Sequence, residues 1–253
     1  MPVSAYVHLP AIRRIPIKSQ VAQTKELNQK YFYMKTVLFD LDGTLIDHFT
    51  TIHRCVVFTQ QQLELPESDY DTVRATVGGS APVTLGKLLG EAYVDTALPI
   101  FQNHFEQIMF EDLIALPGSN WILNKLKQRG YQLAVFTNKN GNQSRTILDF
   151  LDQAQYLDAI IGTGDTPYRK PDPEFTAHAL ECLTASAKDT ILIGDSPFDF
   201  AAAEAGQLKT YLVATGSHSK TELAAATQPA GIYADLYELG AALFDLTPET
   251  AKV

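Results

Sequence analysis

Three short apolar runs in this chain each stop at a polar residue: Val37-Leu38-Phe39 at Asp40, Leu133-Ala134-Val135-Phe136 at Thr137, and Ile191-Leu192-Ile193-Gly194 at Asp195. Runs of this length bounded by turn residues read as buried strands, and the stretches between them place apolar residues at helical spacing. Strands that alternate with helices build βαβ units, whose strands are parallel and point their carboxyl ends the same way. Polar groups far apart in sequence therefore meet at one sheet edge, where open α/β sheets bind their ligands.

The first run ends in two acids, Asp40 and Asp42, one residue apart and followed by Gly43. Two carboxylates crowded at a strand end need a cation or a proton to coexist. Thr137 is followed by Asn138, Asp195 by Asp199 four residues on, and Lys170 lies in the polar loop Tyr168-Arg169-Lys170-Pro171-Asp172-Pro173.

The alternation predicts strands near 37–39, 132–137, 159–163, 190–195, 209–214 and 231–234. It predicts helices over 119–129, closed by Gly130, over 142–153, and from Asp172-Pro173 onward with the aspartate as N-cap. From His48 to about Leu116 the pattern is helical throughout, as in Ile52, Val56, Phe58 and Leu63 and again in Phe101, Phe105, Ile108 and Met109. The expected architecture is α/β: a Rossmann-like, three-layer parallel core from 34–47 and 117–253, with a helical cap over 48–116 hinged near Asp47 and Leu116-Pro117-Gly118. Residues 1–33 read as a poorly ordered extension, or as sequence upstream of a start at Met34, with a transit peptide as the weaker alternative.

Composition narrows the partners. A chain of 253 residues that is 45% hydrophobic can bury a substantial core. Residues 1–33 hold five basic side chains against the single acid Glu26, so the rest of the chain carries −13 of the −9 total. So acidic a body disfavours nucleic acid, and no apolar run approaches the roughly 20 residues that cross a bilayer. Cys55 and Cys182 make no disulfide framework, which points to a reducing cytoplasm. Oligomeric state has no signature.

In order and spacing, Asp40-Leu41-Asp42-Gly43-Thr44, Thr137, Lys170 and Gly194-Asp195-Ser196-Pro197-Phe198-Asp199 resemble the four motifs of the haloacid dehalogenase superfamily of phosphohydrolases. The similarity runs from residue 34 to about 240 and includes a cap placed as in the phosphoglycolate phosphatase and β-phosphoglucomutase branch. It implies a phosphatase acting on a small phosphate ester, with Asp40 as nucleophile forming an aspartyl-phosphate and Asp42 as acid and base. It also implies Mg²⁺ bound by the Asp40 and Asp195 carboxylates and the Asp42 carbonyl, with Asp199 in support. Lys170, Thr137 and Asn138 would serve the phosphate oxygens. In the cap, Arg74 and Ser80 are candidates for reading the leaving group.

The physical reading agrees with that assignment. A phosphate monoester dianion resists an anionic nucleophile unless charge is neutralised and the attacking oxygen held in line. Oxygen-only ligands suit magnesium. A phosphosugar mutase would use the same intermediate and return the phosphoryl group to a sugar. A dehalogenase ranks behind both, because that branch lacks an acid at the position of Asp42. Phosphonate cleavage would need a cap amine, for which only Lys87 offers, and a catalytically idle ligand-binding version of the fold completes the alternatives. His48 stands where relatives carry a small hydroxyl residue.

Overall fold

A computed structural model describes residues 35–248; the segment 1–33, for which the sequence suggests an extension, lies outside the described residues. Among the described residues there are eight strands: β1 Thr36–Phe39, β2 Ile46–Asp47, β3 Ile114–Ala115, β4 Gln132–Asn140, β5 Ala159–Thr163, β6 Thr190–Gly194, β7 Lys209–Val213 and β8 Gly231–Tyr233. Six of them form one parallel sheet in the order β5-β4-β1-β6-β7-β8. The chain builds outward from β1 in one direction, then returns and builds in the other. The reversal puts the topological switch point at the carboxyl end of β1.

Helices cover both faces, and the period of two in the strands decides which residues meet them. Val37, Phe39, Leu133, Val135, Ile191 and Ile193 point to one face and pack with α5 (Ser119–Gln128), α6 (Gly141–Phe150) and the helix Leu236–Phe244. Leu38, Ala134, Phe136 and Leu192 point to the other and pack with Phe175 and Ala179 of α7 (Pro173–Cys182) and Ala202 and Ala203 of α8 (Pro197–Ala205). The three central strands are buried on both faces, which is why they read as unbroken apolar runs rather than alternating ones.

Between β2 and β3 lie α1 (Phe49–Gln62), α2 (Tyr70–Thr76), α3 (Ala81–Leu89) and α4 (Val94–Ile108). The sequence reading of only helices from 48 to 116 needs one correction: Ile114–Ala115 is a strand, paired antiparallel with Ile46–Asp47. Two residues are too few for a periodic signal, and only the pairing partner, some seventy residues away, defines the strand. This ribbon joins the helical block to the sheet, next to Gly118 in the left-handed conformation that favours glycine. Ile52, Cys55, Val56, Phe101 and Phe105 of the block share one apolar cluster with Leu41, Leu45 and Ile46 of the core.

One boundary and one cap differ as well. β4 continues past the predicted end at 137 to Asn140, through a register shift between Phe136 and Asn140 that carries Thr137, Asn138 and Lys139. The helix after Asp172 starts where expected, but the Asp172 carboxylate accepts from the Arg169 N–H and not from its helix. Among the described residues no helix is long and apolar enough to cross a membrane.

Candidate active site

β1 ends with Phe39 level with Val135 of β4 on one side and Ile193 of β6 on the other, and the Asp40 N–H donates to the Ile193 carbonyl at 2.9 Å. Asp40 therefore emerges between its two neighbouring strands, in the switch-point crevice. Asp195, directly after β6, and Asp199, in the first turn of α8, lie beside it. One carboxylate oxygen from each of the three falls within 4.8 Å of the others.

A single buried cation balances them in part. Lys170 is 2% exposed, and its Nζ donates to Asp40 Oδ1 and to Asp199 Oδ1, each at 2.7 Å. The other Asp199 oxygen accepts from the Asp195 N–H, the Ser196 N–H and the Ser196 hydroxyl, so Asp199 is fully engaged in holding the start of α8 and the lysine. Asp195 Oδ2 accepts from the N–H and hydroxyl of Ser217. Among the described residues Asp40 Oδ2 and Asp195 Oδ1 accept from no donor. Burial raises the Asp40 carboxyl to about 6, with Asp199 and Asp42 adding to the rise and Lys170 opposing it. Burial also raises Asp195 well above the carboxylate range, with Asp199 and Asp40 reinforcing the effect. For Lys170, burial pulls downward, and the two aspartates outweigh it and raise the ammonium. Three carboxylates against one ammonium leave the cluster short of positive charge.

Asp42 sits apart from that cluster. Lys139 Nζ donates to both its oxygens, at 3.0 and 3.2 Å, and lies 4.7 Å above the Phe105 ring of α4. His48 is fully buried; its Nε2 is 2.8 Å from the Met109 carbonyl, so that nitrogen carries the hydrogen, and Nδ1 faces Asp42 Oδ1 at 3.8 Å. Burial, aided by Lys139, lowers the imidazole to about 3, so it is neutral beside the aspartate at physiological pH. Gly43, at φ +87°, turns the chain directly after Asp42, and the Thr215 hydroxyl donates to its carbonyl at 2.6 Å.

The other sequence-nominated residues fall as follows. Thr137 is buried in the β4 bulge, where its oxygen accepts from the Lys139 N–H, leaving its own hydrogen to give. Asn138 is a clamp: its Nδ2 donates to the Gly78 carbonyl of the helical block and to the Lys170 carbonyl, and its Oδ1 accepts from the Lys170 N–H. Its side chain thus ties the lysine loop to the helical block, with its amide engaged by the Gly78 and Lys170 carbonyls. Arg74 reaches across to the Gly216 carbonyl at 2.7 Å, where its guanidinium tethers the block to the 215–217 turn. Ser80 is buried, lines a cavity of about 260 Å³, and its hydroxyl has no partner. Asp42 and Lys139 line the same cavity, whereas Asp40 and Asp195 lie outside its walls.

Lys139 and the turn Thr215-Gly216-Ser217 were missed by sequence reasoning. A lysine following Thr137-Asn138, and a hydroxyl-rich turn after the strand next to β6, were the available signals, because both end at the same sheet edge.

A model of the haloacid dehalogenase-like hydrolases matches residues 37–213. This chain belongs to that family. A phosphoglycolate phosphatase from Aquifex aeolicus is 32% identical over 183 residues, covering 72% of this chain and 86% of that protein. One from Cupriavidus necator is 32% identical over 186 residues, covering 71% and 80%. The crystal structure of a predicted phosphatase from Clostridium acetobutylicum superposes with a TM-score of 0.78 at 27% identity, covering 85% of this chain and 99% of that one. The chain is thus a hydrolase of the family's phosphatase kind, in the branch that resembles the phosphoglycolate phosphatases.

Proposed function

We propose that this hydrolase cleaves the phosphate monoester of a small metabolite through an aspartyl-phosphate on Asp40, with Mg²⁺ as cofactor. The observation that carries the reading is the separation of the two acids: Asp40 lies in the cation-short cluster with Lys170 and Asp195, while Asp42 is held apart against Lys139 at the cavity. In this reading one carboxylate meets phosphorus and the other the leaving group.

The donor set fits a hard divalent ion, since Asp40 and Asp195 each keep an unused oxygen in a buried cluster that lacks positive charge. Both carboxylates and the Asp42 carbonyl would hold the ion, which supplies neutralising charge to the phosphoryl oxygens. The remaining work belongs to side chains. Lys170 keeps Asp40 ionised and adds positive charge where the phosphate enters. The Asp40 oxygen bonds to phosphorus as the ester P–O bond breaks, and Asp42 gives its proton to the departing alkoxide. A water then attacks phosphorus, Asp42 takes its proton, and the Asp40–phosphorus bond breaks to release phosphate. The Thr137 hydroxyl is available to a non-bridging oxygen. The helical block over 48–116 acts as a cap, docked through Arg74 and Gly78 and carried on the β2–β3 ribbon.

Purified protein assayed on a panel of phosphate monoesters, with Mg²⁺ and with chelator, tests this. Metal-dependent phosphate release that Asp40→Asn lowers by at least about a thousandfold is expected. Turnover that survives the substitution, or no release from any ester, sinks it.

A further inference from the structure

Thr215, Gly216 and Ser217, just past β7, bond to three separate parts of the protein. The Thr215 hydroxyl donates to the Gly43 carbonyl at 2.6 Å, the Gly216 carbonyl accepts from the Arg74 guanidinium at 2.7 Å, and the Ser217 N–H donates to Asp195 Oδ2 at 2.9 Å. The turn thus grips the loop after Asp42 at one end and the Asp195 carboxylate at the other, and the helical block pins its middle.

The Gly216 carbonyl and the Ser217 N–H belong to one peptide group, which is planar and stiff. Fixing the oxygen with Arg74 therefore fixes the direction of the N–H that Asp195 accepts. Hydrogen bonds joined through one peptide also polarise each other in the same sense. The packing leaves little slack, since a Cβ added at Gly216 would fall 1.8 Å from Asp195 Oδ2. Arg74 is itself held: it lies half-buried in the last turn of α2, with Cζ 5.3 Å from the centre of the buried Phe49 ring of α1.

Charge and position pull in opposite directions here. A guanidinium near a divalent-cation site repels the cation, so an Arg74 that acted through its field alone would weaken metal binding, and its removal would tighten it. An Arg74 that holds the turn does the reverse: its loss frees the Gly216–Ser217 peptide, Asp195 loses a fixed donor, and metal binding weakens. The short charge-assisted bond, aimed at the one peptide that meets Asp195, favours the second.

We infer that Arg74 is a positioning residue that couples docking of the helical block to the metal centre. Mg²⁺ binds more tightly when the block is docked, and by linkage the block docks more firmly when Mg²⁺ is bound. The inference rests on the Mg²⁺ reading above, and its test separates the two. Without substrate, Tm is followed against Mg²⁺ concentration for wild type, Arg74→Met, Arg74→Lys and Arg54→Ala. Methionine keeps a stem against Phe49 and deletes the donors, lysine returns a charged donor, and Arg54 is an arginine of the same block paired with Glu111 and Asp112. The half-saturating Mg²⁺ concentration should rise about five- to tenfold in Arg74→Met, somewhat less than for a direct partner of a metal ligand because one peptide intervenes. Lysine should recover part of that loss, and Arg54→Ala should show none. In wild type, saturating Mg²⁺ should slow amide hydrogen exchange across Tyr70–Thr76 by a similar factor, a readout that needs no variant. An unchanged or lowered concentration in Arg74→Met, no recovery with lysine, an equal rise in Arg54→Ala, or exchange in α2 indifferent to Mg²⁺ overturns the inference while the metal site stands. A wild-type Tm that Mg²⁺ does not move removes the metal reading and this inference with it.

Discussion

Replacing Lys170 with methionine keeps the length of the side chain and deletes its charge, at a position 2% exposed whose Nζ is 2.7 Å from both Asp40 and Asp199. Removing one partner of a buried ion pair costs about 3–5 kcal/mol, because the other charge stays behind without compensation. Here two carboxylates stay behind. Asp199 retains three donors on its other oxygen, whereas Asp40 loses its donor. The loss at pH 7.5 should therefore sit near the lower end, about 3 kcal/mol, since Asp40 can escape by taking up a proton.

That escape sets the pH dependence. The Lys170 ammonium is raised in the folded state, so its contribution is fully present below the unfolded lysine pKa and constant between pH 5 and 7.5. The Asp40 carboxyl is raised to about 6, so the folded protein binds more protons than the unfolded chain between about 4 and 6, and stability rises as pH falls through that window. Without Lys170 the carboxyl rises further and the gain begins at higher pH. The gap between wild type and variant should thus narrow on going from pH 7.5 to pH 5. Urea unfolding in chelator, extrapolated linearly at both pH values, measures it. A loss under about 1 kcal/mol at pH 7.5, or one that does not change with pH, would refute the view that Lys170 holds Asp40 ionised.

Saturating Mg²⁺ at a hundred times its dissociation constant should stabilise the protein by about 2.7 kcal/mol, and Asp195→Asn should abolish the rise in Tm; an unchanged Tm in wild type counts against the site. At Gly216 an added Cβ would overlap the Asp195 carboxylate. Gly216→Ala should raise the half-saturating Mg²⁺ concentration at least about tenfold with the circular dichroism spectrum preserved, and unaltered metal dependence would show that the 215–217 turn does not position Asp195. The His48 imidazole is lowered to about 3, so the unfolded chain binds a proton there below pH 6.5 that the folded protein does not, and stability falls with pH in that window. Between pH 7 and 5 the wild type should lose about 2 kcal/mol more than His48→Ser; parallel curves would mean that the ring is accessible to protons.

The sheet was legible because β1, β4 and β6 are buried on both faces and leave unbroken apolar runs, and because the residues that end them carry the polar groups. Asp40, Lys170, Asp195 and Asp199 came together from that pattern and the motif order alone. What sequence did not convey depends on contacts between distant segments. Ile114–Ala115 is a strand only by virtue of Ile46–Asp47. Lys139 stands two residues beyond the anticipated strand end at 137, and only the β4 bulge turns it toward Asp42. Arg74 has the chemistry to bind an anion, yet the docked block brings it to the Gly216 carbonyl instead. The contacts of Asn138 with the Gly78 and Lys170 carbonyls likewise join segments far apart in the chain.

Whether Asp40 itself bonds to phosphorus is the central claim. Enzyme turning over a good substrate with Mg²⁺ can be quenched, reduced with borohydride and digested, and the peptide spanning residue 40 read by mass spectrometry. An aspartyl-phosphate on Asp40 is reduced to homoserine at that position, and the modified peptide should depend on both substrate and Mg²⁺. Homoserine at another aspartate, with position 40 unmodified in an enzyme that is turning over, would contradict the account.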